Sequence, residues 1–293
     1  MSTSVALVTG ASSGIGEATA RRLHSMGYTV YAAARRVDRM SGLAELGVRT
    51  LPADLTDDAA AVGLIERIIA DTGRIDVLVN NAGYGSYGSL EDVPMDEARR
   101  QVEINLFALA RLTQLVLPHM RAQHSGYIVN ISSMGGKFGE PLGSWYHATK
   151  FAVEGLSDSI RMELAPLGID VVVIEPGAIR TEWGPIAARS VLDRSGDGPY
   201  AQQARLTAKM LAAGEHQGSS PDVIADAIGR AVTARRPRTR YAVGSGAKPM
   251  LLAAWLLPDR ILDRMLTGFY RVAARFTPEL PADAATRELT PAR

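Results

Sequence analysis

Tyr146 and Lys150 stand four residues apart in a segment with helical periodicity, and this pair can carry out proton transfer. A spacing of i, i+4 places both side chains on one face of a helix. A free phenol has a pKa of about 10 and is a poor base at neutral pH, whereas a nearby ammonium favours the phenolate. The chain has only four lysines beside 28 arginines, so a lysine at this position indicates a specific requirement. The pair predicts a general acid or base.

A glycine-rich turn, Thr9–Gly16, follows the first predicted strand and opens the first predicted helix. Glycines there let the backbone approach a pyrophosphate, and the helix N-terminus then faces the anion. The spacing is G-x-x-x-G-x-G, and its position between a strand and a helix favours a dinucleotide site over an ordinary glycine-rich turn. The predicted contacts come from Gly10, Ser12, Ser13, Gly14, Ile15 and Gly16.

Two arginines stand where an NAD site would carry an acidic residue, at the end of the second predicted strand. A carboxylate there binds the ribose 2′-hydroxyl and repels a 2′-phosphate, which guanidinium groups chelate. Arg35 and Arg36 therefore favour NADP over NAD. The alternative is a solvated pair of arginines, and Asp38 nearby weakens the inference. Asp54 and Leu55, after the third predicted strand, are expected cofactor contacts. Asp54 would bind the adenine amino group, and the alternative is that it caps the next helix.

The elements that must position these residues are short apolar runs alternating with helical segments of a dozen or more residues. This alternation predicts a parallel sheet covered on both faces. We expect a doubly wound, Rossmann-like α/β fold with a mostly parallel seven-stranded sheet in one catalytic domain, residues 1–246. Residues 177–220 are rich in glycine and proline, and we expect an irregular lid there, with disorder as the alternative. Four glycines are predicted to end helices in the left-handed conformation: Gly27, Gly47, Gly73 and Gly168.

Residues 247–293 are expected to form a helical extension of the same domain. Apolar residues recur at helical spacing among charged ones from Leu251 to Val272. Such helices cover the body or the pocket mouth, form a subunit contact or lie in a membrane interface, and the last of these is the least favoured. The end of the chain from Pro278 is expected to fray.

The motifs of this chain, taken in order, resemble those of the short-chain dehydrogenase/reductase family. The matching residues span positions 9 to 181, and the chain beyond about residue 247 carries little of the resemblance. They are Thr9–Gly16, Asn80–Gly83, Asn105, Ser133, Tyr146, Lys150 and Pro176–Thr181. The resemblance implies an NAD(P)-dependent oxidoreductase that interconverts an alcohol and a ketone or aldehyde by hydride transfer. It also implies a homo-oligomer formed through the helices near 95–122 and 145–167.

The resemblance implies a role for each matching residue. Tyr146 is the general acid/base at the substrate oxygen, Lys150 lowers its pKa and binds the nicotinamide ribose, and Ser133 polarises the carbonyl. Ser132 is the rival of Ser133, which the thirteen-residue spacing to Tyr146 favours. Asn105 holds a water that links Lys150 to solvent. The other implied cofactor contacts are Asn81, Ala82 and Gly83 on the adenosine side and Pro176, Gly177, Ile179 and Thr181 around the nicotinamide.

Large, mostly apolar side chains are expected to line the substrate pocket beside Ser133. They predict a hydrophobic ketone or alcohol, and the alternative is that they only pack the lid against the body. The residues are Tyr84 after the fourth predicted strand, Met134, Phe138 and Leu142 after the fifth, and Trp183 in the lid.

The composition excludes several other classes of protein. The absence of cysteine rules out disulfides, thiolate nucleophiles and cysteine-ligated metals, and the five histidines include no H-E-x-x-H pair, so no metal is expected. A net charge of +1 argues against a nucleic-acid partner, and the basic stretch 230–250 is expected to be a solvated helix end. The sequence shows neither a signal-peptide pattern nor a long apolar run, which predicts a cytoplasmic protein.

Two other functions stay open beside an NADP-preferring ketone reductase or alcohol dehydrogenase that acts on a small molecule. A non-catalytic NADP(H)-binding sensor would share the fold, but it would not need the serine, tyrosine and lysine together. A nucleotide-sugar epimerase or dehydratase would use a different glycine spacing and a separate C-terminal substrate domain.

Overall fold

Short apolar runs form the strands of a single parallel sheet in the computed structural model, which describes residues 3–276. Every strand pair among these residues is parallel, and the strand order is β3-β2-β1-β4-β5-β6-β7. The predicted doubly wound, seven-stranded sheet is therefore confirmed. The strands are β1 Val5–Thr9, β2 Thr29–Ala34, β3 Arg49–Pro52, β4 Val77–Asn80, β5 Gly126–Ile131, β6 Ile169–Pro176 and β7 Arg240–Val243.

Helices connect the strands and cover both faces of the sheet. They are α1 Gly14–Ser25, α2 Ser41–Glu45, α3 Asp58–Thr72, α4 Met95–Val102, α5 Ala108–Gln123, α6 Ser144–Leu164, α7 Trp183–Ser195, α8 Ala201–Gln217, α9 Asp222–Thr233, α10 Ala247–Leu256 and α11 Asp259–Phe276. The four glycines expected to be left-handed all have positive φ, between +70° and +92°. Each lies just before a strand, where it ends the preceding helical segment.

Two apolar cores lie on opposite faces of the sheet. Leu23 of α1 and Ile228 of α9 are fully buried in one core, and Ile68 of α3 and Leu112 of α5 are buried in the other. Burying one such side chain contributes about 1.5–3 kcal/mol. Because both faces are covered, the five residues of β1 are all buried, as expected for a parallel sheet. The helices on both faces hold the strands in place, and the residues at the carboxyl edge of the sheet are therefore held rigidly.

The segment expected to be an irregular lid contains two packed helices, α7 and α8. Gly184 lies where these helices approach each other, and a Cβ there would be 2.5 Å from the carbonyl oxygen of Leu211. The glycine therefore permits close helix packing and does not break the helix. Ala188 and Ala204 pack into the same cluster as Tyr146, so the helical pair covers the predicted catalytic tyrosine.

The described part of the C-terminal extension forms α10 and α11. Leu262 and Leu266 of α11 are buried against Phe138, which follows β5. None of the helices between residues 3 and 276 is long and apolar enough to cross a bilayer. Residues 277–293, for which fraying is expected, lie outside the described residues.

Candidate active site

Four strand ends bring the predicted site residues to the carboxyl edge of the sheet. The strand order reverses between β1 and β4, and open α/β sheets bind ligands in the crevice at such a reversal. Gly10 follows β1 and Asn81 follows β4, so these residues flank the crevice. Ser132 follows β5 and Gly177 follows β6 at the same edge. Residues far apart in the chain thus converge on one crevice.

The turn between β1 and α1 has the backbone geometry that its glycines predict. Gly10 and Gly14 have φ of +63° and +57°, which favours glycine. At Gly16 a Cβ would lie 2.3 Å from the carbonyl oxygen of Gly10, so a larger residue does not fit. The Asn81 side-chain amide donates to the Thr9 carbonyl at 2.9 Å and to that of Gly10 at 3.3 Å. Asn81 therefore supports the shape of the turn.

The N-terminus of α1 lies at this turn. The first bond within the helix is donated by the Glu17 amide to the Ser13 carbonyl at 3.4 Å. The preceding amides have no partner within the helix, and such amides attract an anion. Ile15 packs against the sheet core, while Ser12 lies half-buried in the turn. The geometry suits a pyrophosphate.

The segment after β6 folds back toward the glycine-rich turn. Pro176 ends β6, and the Gly177 amide donates to the Val243 carbonyl at 2.8 Å. Ile179 packs against the sheet core. The Thr181 side chain lies over Gly14, where a Cβ would be 2.9 Å from its methyl carbon. The segment expected to hold the nicotinamide therefore borders the turn expected to hold the pyrophosphate.

Glu182 links this segment to the end of β2. Arg39 donates to its two carboxylate oxygens at 2.9 and 3.0 Å, and Arg36 lies 3.6 Å from it. The three side chains are 41–50% exposed, so these ion pairs lie at the protein surface. Arg39 was missed in the sequence, although it follows Arg36 by three residues, which is the spacing of one helical turn.

Arg35 faces a different part of the crevice. It lines a cavity of about 350 Å³ together with Thr56, Arg99, Arg100 and Glu103. The Asp54 carboxylate accepts hydrogen bonds from the Thr56 amide at 3.1 Å and from its hydroxyl at 2.8 Å. Of the two expectations for Asp54, adenine binding and helix capping, the structure shows capping. Asp54 caps a turn, however, because the residue that caps α3 is Asp57. Leu55 packs against the sheet core.

The adenosine-side residues Ala82 and Gly83 continue from Asn81. The Ala82 amide donates to the Thr9 hydroxyl at 3.1 Å. A Cβ at Gly83 would lie 3.0 Å from Oδ1 of Asn105, so the backbone passes close to that amide. These contacts join the end of β4 to the glycine-rich turn on one side and to Asn105 on the other.

Asn105 lies in a π-helical turn, Glu103–Phe107, between α4 and α5. Single π turns inside helices occur frequently at functional sites. Its amide nitrogen donates to the Tyr84 carbonyl at 2.9 Å and to the Thr149 hydroxyl at 3.1 Å, and its oxygen accepts from the Tyr84 amide at 3.0 Å. Asn105 thus ties the segment after β4 to α6, one residue before Lys150.

Tyr146 lies in the first turn of α6 and is buried. Its hydroxyl hydrogen-bonds with the Ser133 side chain. The ring packs against Tyr87 and Trp183, with centroids 5.6 and 5.0 Å away. Ser132 has a buried Oγ that makes no hydrogen bond among residues 3–276. The structure therefore brings Ser133 to the phenol, as the thirteen-residue spacing favours.

Lys150 lies one helical turn after Tyr146. Its ammonium donates to the Ile131 carbonyl at 2.8 Å and lies 5.9 Å from the centre of the Tyr146 ring. Burial lowers the pKa of Lys150 to about 8, and the negative charge of Glu154 opposes this shift. The i, i+4 spacing thus places both side chains in one buried site.

The ionisation of Tyr146 differs from the sequence expectation. The sequence predicts that Lys150 lowers its pKa, but burial raises the pKa of Tyr146 to about 12, the Ser133 hydrogen bond lowers it, and the charge of Glu140 raises it. Burying a phenolate is costly, and the ammonium is bonded to a carbonyl at some distance from the ring. Tyr146 is therefore a protonated phenol at neutral pH, which is the form that donates a proton.

Four of the five remaining pocket residues lie in two apolar clusters. Leu142 and Trp183 pack in the cluster that contains Tyr146. Met134 and Phe138 pack against the helices of the C-terminal extension. The segment after β5 therefore contributes apolar side chains both to the cluster around the phenol and to the cluster of the C-terminal helices.

Tyr84 is placed elsewhere. Its hydroxyl donates to the Glu97 carboxylate of α4 at 3.1 Å, so it turns toward that helix. Tyr87 takes the place beside Tyr146 that the sequence prediction assigns to Tyr84. Glu140 and Tyr270 also interact with this site. These three residues stand in separate segments with no shared spacing, so no sequence signal could have identified them.

The crevice fits a dinucleotide. The first amides of α1 have no partner within the helix where the pyrophosphate is expected, and Arg36 with Arg39 supplies positive charge beyond the end of β2. Lys150 presents a buried ammonium near the phenol. Among the side chains that the structure describes, no group of three or more histidine, aspartate or glutamate residues is arranged to hold a metal ion.

Comparison with known proteins identifies the class. The family profile of the short chain dehydrogenases matches residues 4–187. The chain is 35% identical to 3-ketodihydrosphingosine reductase of Bacteroides thetaiotaomicron, over 93% of this chain and 100% of that protein. It is 34% identical to the NADPH-dependent 3-dehydrocapnine reductase of Ornithobacterium rhinotracheale, over 94% of this chain and 99% of that protein. The chain belongs to the short-chain dehydrogenase/reductase family.

Solved structures show the same architecture. A short-chain dehydrogenase of Streptomyces avermitilis is similar with a TM-score of 0.78 and 34% identity, over 95% of this chain and 99% of that one. A metagenomic short-chain oxidoreductase in complex with NADP has a TM-score of 0.67 and 30% identity, over 83% of this chain and 97% of that one. A 3-ketoacyl-(acyl-carrier-protein) reductase of Brucella melitensis, complexed with NADH, has a TM-score of 0.69 and 25% identity, over 84% of this chain and 98% of that one. The family thus uses both nicotinamide cofactors.

Proposed function

We propose that this protein is an NADPH-dependent reductase that converts the ketone of a long-chain, largely apolar substrate to a secondary alcohol. The observation that carries the proposal is a protonated, buried Tyr146 that is bonded to Ser133 and packs in one apolar cluster with side chains of α7 and α8. The relatives named above support it, since they are reductases of 3-ketodihydrosphingosine and 3-dehydrocapnine. A non-catalytic sensor would not need this arrangement.

The residues of the site divide the reaction between them. Bound NADPH would supply the hydride for the carbonyl carbon. Tyr146 donates its phenolic proton to the carbonyl oxygen as negative charge develops there. The Ser133 oxygen accepts a hydrogen bond from the Gly135 amide at 3.0 Å, so the Ser133 hydrogen, which bonds to the Tyr146 oxygen before substrate binds, would turn to the same carbonyl oxygen. Lys150 is largely cationic at neutral pH and stabilises the phenolate that remains.

The preference for NADPH over NADH is supported by the arginines beyond β2. Arg35, Arg36 and Arg39 all lie between the end of β2 and the start of α2, and no aspartate or glutamate stands at the position that would bind a 2′-hydroxyl. A 2′-phosphate there would gain charge-assisted hydrogen bonds from guanidinium groups. The 3-dehydrocapnine reductase is NADPH-dependent, which agrees with this preference.

The apolar substrate class is supported by two apolar clusters, one of which contains the phenol. Trp183 and Leu142 pack in the cluster with Tyr146, and Phe138 packs with Leu262 and Leu266 in the other. Each methylene that moves from water into such a site contributes about 0.8 kcal/mol. A long alkyl chain would bind well between these clusters, whereas a small polyol would leave its hydroxyl groups without partners.

The experiment that tests the proposal follows NADPH consumption with a series of ketones of increasing chain length. We expect kcat/KM to rise about fourfold per methylene until the apolar surface is filled. Leu266→Ala should weaken this dependence, and Val272→Ala, which changes an exposed residue of the same helix, should preserve it. A kcat/KM that is independent of chain length, or activity confined to polyols, would contradict the proposed substrate class.

We also propose that copies of the chain associate through α4, α5 and α6. Large apolar side chains on these helices and in the π-helical turn between α4 and α5 are 47–66% exposed, namely Met95, Phe107, Phe151 and Met162. Light scattering should report an oligomer for the wild type and a smaller species for Phe107→Glu, and a monomeric wild type would contradict the proposal. The cytoplasmic location stays a prediction.

A further inference from the structure

Glu140 is a largely buried carboxylate that ketone reduction does not itself require. It lies between β5 and α6, and its side chain is 19% exposed. The Tyr270 hydroxyl of α11 hydrogen-bonds to it. Among the side chains that the structure describes, its basic neighbour is His147, with Nε2 3.7 Å from a carboxylate oxygen, and no lysine or arginine of that set forms an ion pair with it. A buried carboxylate without such a cation is costly.

His147 faces Glu140 with an unused nitrogen. Its Nδ1 lies 2.8 Å from the Gly135 carbonyl oxygen, and because a carbonyl only accepts, Nδ1 carries a hydrogen. In the neutral imidazole Nε2 is then an acceptor. This nitrogen is buried and has no hydrogen-bond partner among the described residues, and 3.7 Å is too long for a hydrogen bond to Glu140. With the imidazole neutral, two acceptors face each other, and no described residue places a donor between them.

We propose that Glu140 and His147 bind an ammonium group that the substrate carries close to its ketone. An ammonium has three N–H donors and no acceptor, so it can donate to both groups at once. A carboxylate offers about four lone-pair sites, and Tyr270 uses one of them. The positive charge would also offset the cost of burying Glu140, whose pKa burial raises.

The position of the pair relative to the phenol fits a group next to the ketone. His147 follows Tyr146 directly, and the centroids of the two rings are 5.5 Å apart. The charge of Glu140 is close enough to raise the pKa of Tyr146. A substrate whose carbonyl oxygen accepts from Tyr146 would therefore place a substituent on the adjoining carbon near Glu140. This inference rests on the proposed ketone reduction and specifies the substrate as an amino ketone.

The test compares 3-ketodihydrosphingosine, an amino ketone, with its N-acetyl amide, which has the same chain and no positive charge. In the wild type, kcat/KM should favour the amine by about 30-fold, mainly through KM. In Glu140→Gln this ratio should fall below about threefold, because the amide side chain keeps the shape and removes the charge. Glu66→Gln, an exposed change on α3, should keep the wild-type ratio.

An unchanged ratio in Glu140→Gln overturns the ammonium site. If that variant does not fold, inhibition of the wild type decides: dodecylamine should compete with the substrate about tenfold more tightly than dodecanol, and equal inhibition refutes the site. The failure of the proposed function looks different. A wild type that reduces neither ketone with NADPH contradicts ketone reduction itself, whereas one that reduces amine and amide equally well contradicts only the role of Glu140 and His147.

Discussion

Replacing Tyr146 with phenylalanine removes one oxygen atom and leaves the surrounding packing in place. The ring keeps its contacts with Tyr87 and Trp183. The lost hydrogen bond with Ser133 contributes about 0.5–1.5 kcal/mol, and burial of a less polar ring offsets part of that loss. We therefore expect the melting temperature of Tyr146→Phe to stay within about 4 °C of the wild type.

The expected effect on catalysis is far larger than the effect on stability. Tyr146 is the protonated group that meets the developing negative charge, and general acid catalysis contributes about 10²- to 10⁴-fold. This corresponds to about 3–5 kcal/mol of transition-state stabilisation. We expect kcat to fall about 10³-fold. The Kd of NADPH should change less than about threefold, because Lys150 and the glycine-rich turn are untouched.

The assay follows the loss of NADPH absorbance under saturating ketone, and a fluorescence titration measures NADPH binding separately. Tyr127→Phe is the matched control, since its hydroxyl donates to the Ala234 carbonyl at 3.3 Å and β5 begins there, away from the carboxyl edge. A Tyr146→Phe variant with kcat within about tenfold of the wild type would refute the role of the phenol. A variant that has lost NADPH binding would show that the tyrosine acts through the cofactor site instead.

Three further predictions follow from the charged residues. Arg36→Asp should raise the Kd of NADPH about 10- to 100-fold in a fluorescence titration while NADH binding changes little, and equal wild-type affinity for both cofactors would contradict this. Glu182→Gln removes a carboxylate that competes with the 2′-phosphate for Arg36 and Arg39. It should tighten NADPH binding up to about fivefold, because an exposed ion pair contributes about 1 kcal/mol at most. Weaker NADPH binding in this variant would contradict the competition. The pKa of Lys150 is about 8 in the folded state and about 10.4 in the unfolded chain. Between these pH values the folded state binds fewer protons than the unfolded chain. The free energy of unfolding therefore increases by about 2–3 kcal/mol at most as pH rises through this window. Lys150→Met lacks this increase, so its free energy of unfolding in urea should fall relative to that of the wild type from about pH 7 to about pH 10. A difference between the two proteins that does not change with pH would show that the pKa of Lys150 is not lowered.

The sheet and the order of the motifs could be predicted because they depend on local patterns. Each strand is an apolar run, and each helix has a periodicity that its own residues carry. The i, i+4 spacing of Tyr146 and Lys150 places both on one face of α6 in any environment. Gly27 and Gly168 end helical segments because a left-handed residue before a strand is a local requirement.

The helical pair over the site could not be predicted in the same way. Gly184 and the glycines near it suggest irregular structure when only neighbours in sequence are considered. In the structure a Cβ at Gly184 would clash with the Leu211 carbonyl, so the requirement for glycine comes from another helix. Tyr84 and Tyr87 present a similar problem, because both follow β4 and only packing against α4 and α7 distinguishes them.

The sequence by itself determined the family, the sheet and the residue types that meet at the strand ends, since these follow from periodicity and from motifs of fixed spacing. Only the tertiary structure decided how those residues ionise. The pKa of Tyr146 depends on how much water is excluded from it and on charges from distant segments, such as Glu140. The meeting of Glu140 with His147 and with Tyr270 of α11 is likewise a product of folding, because no local pattern relates residues so far apart in the chain.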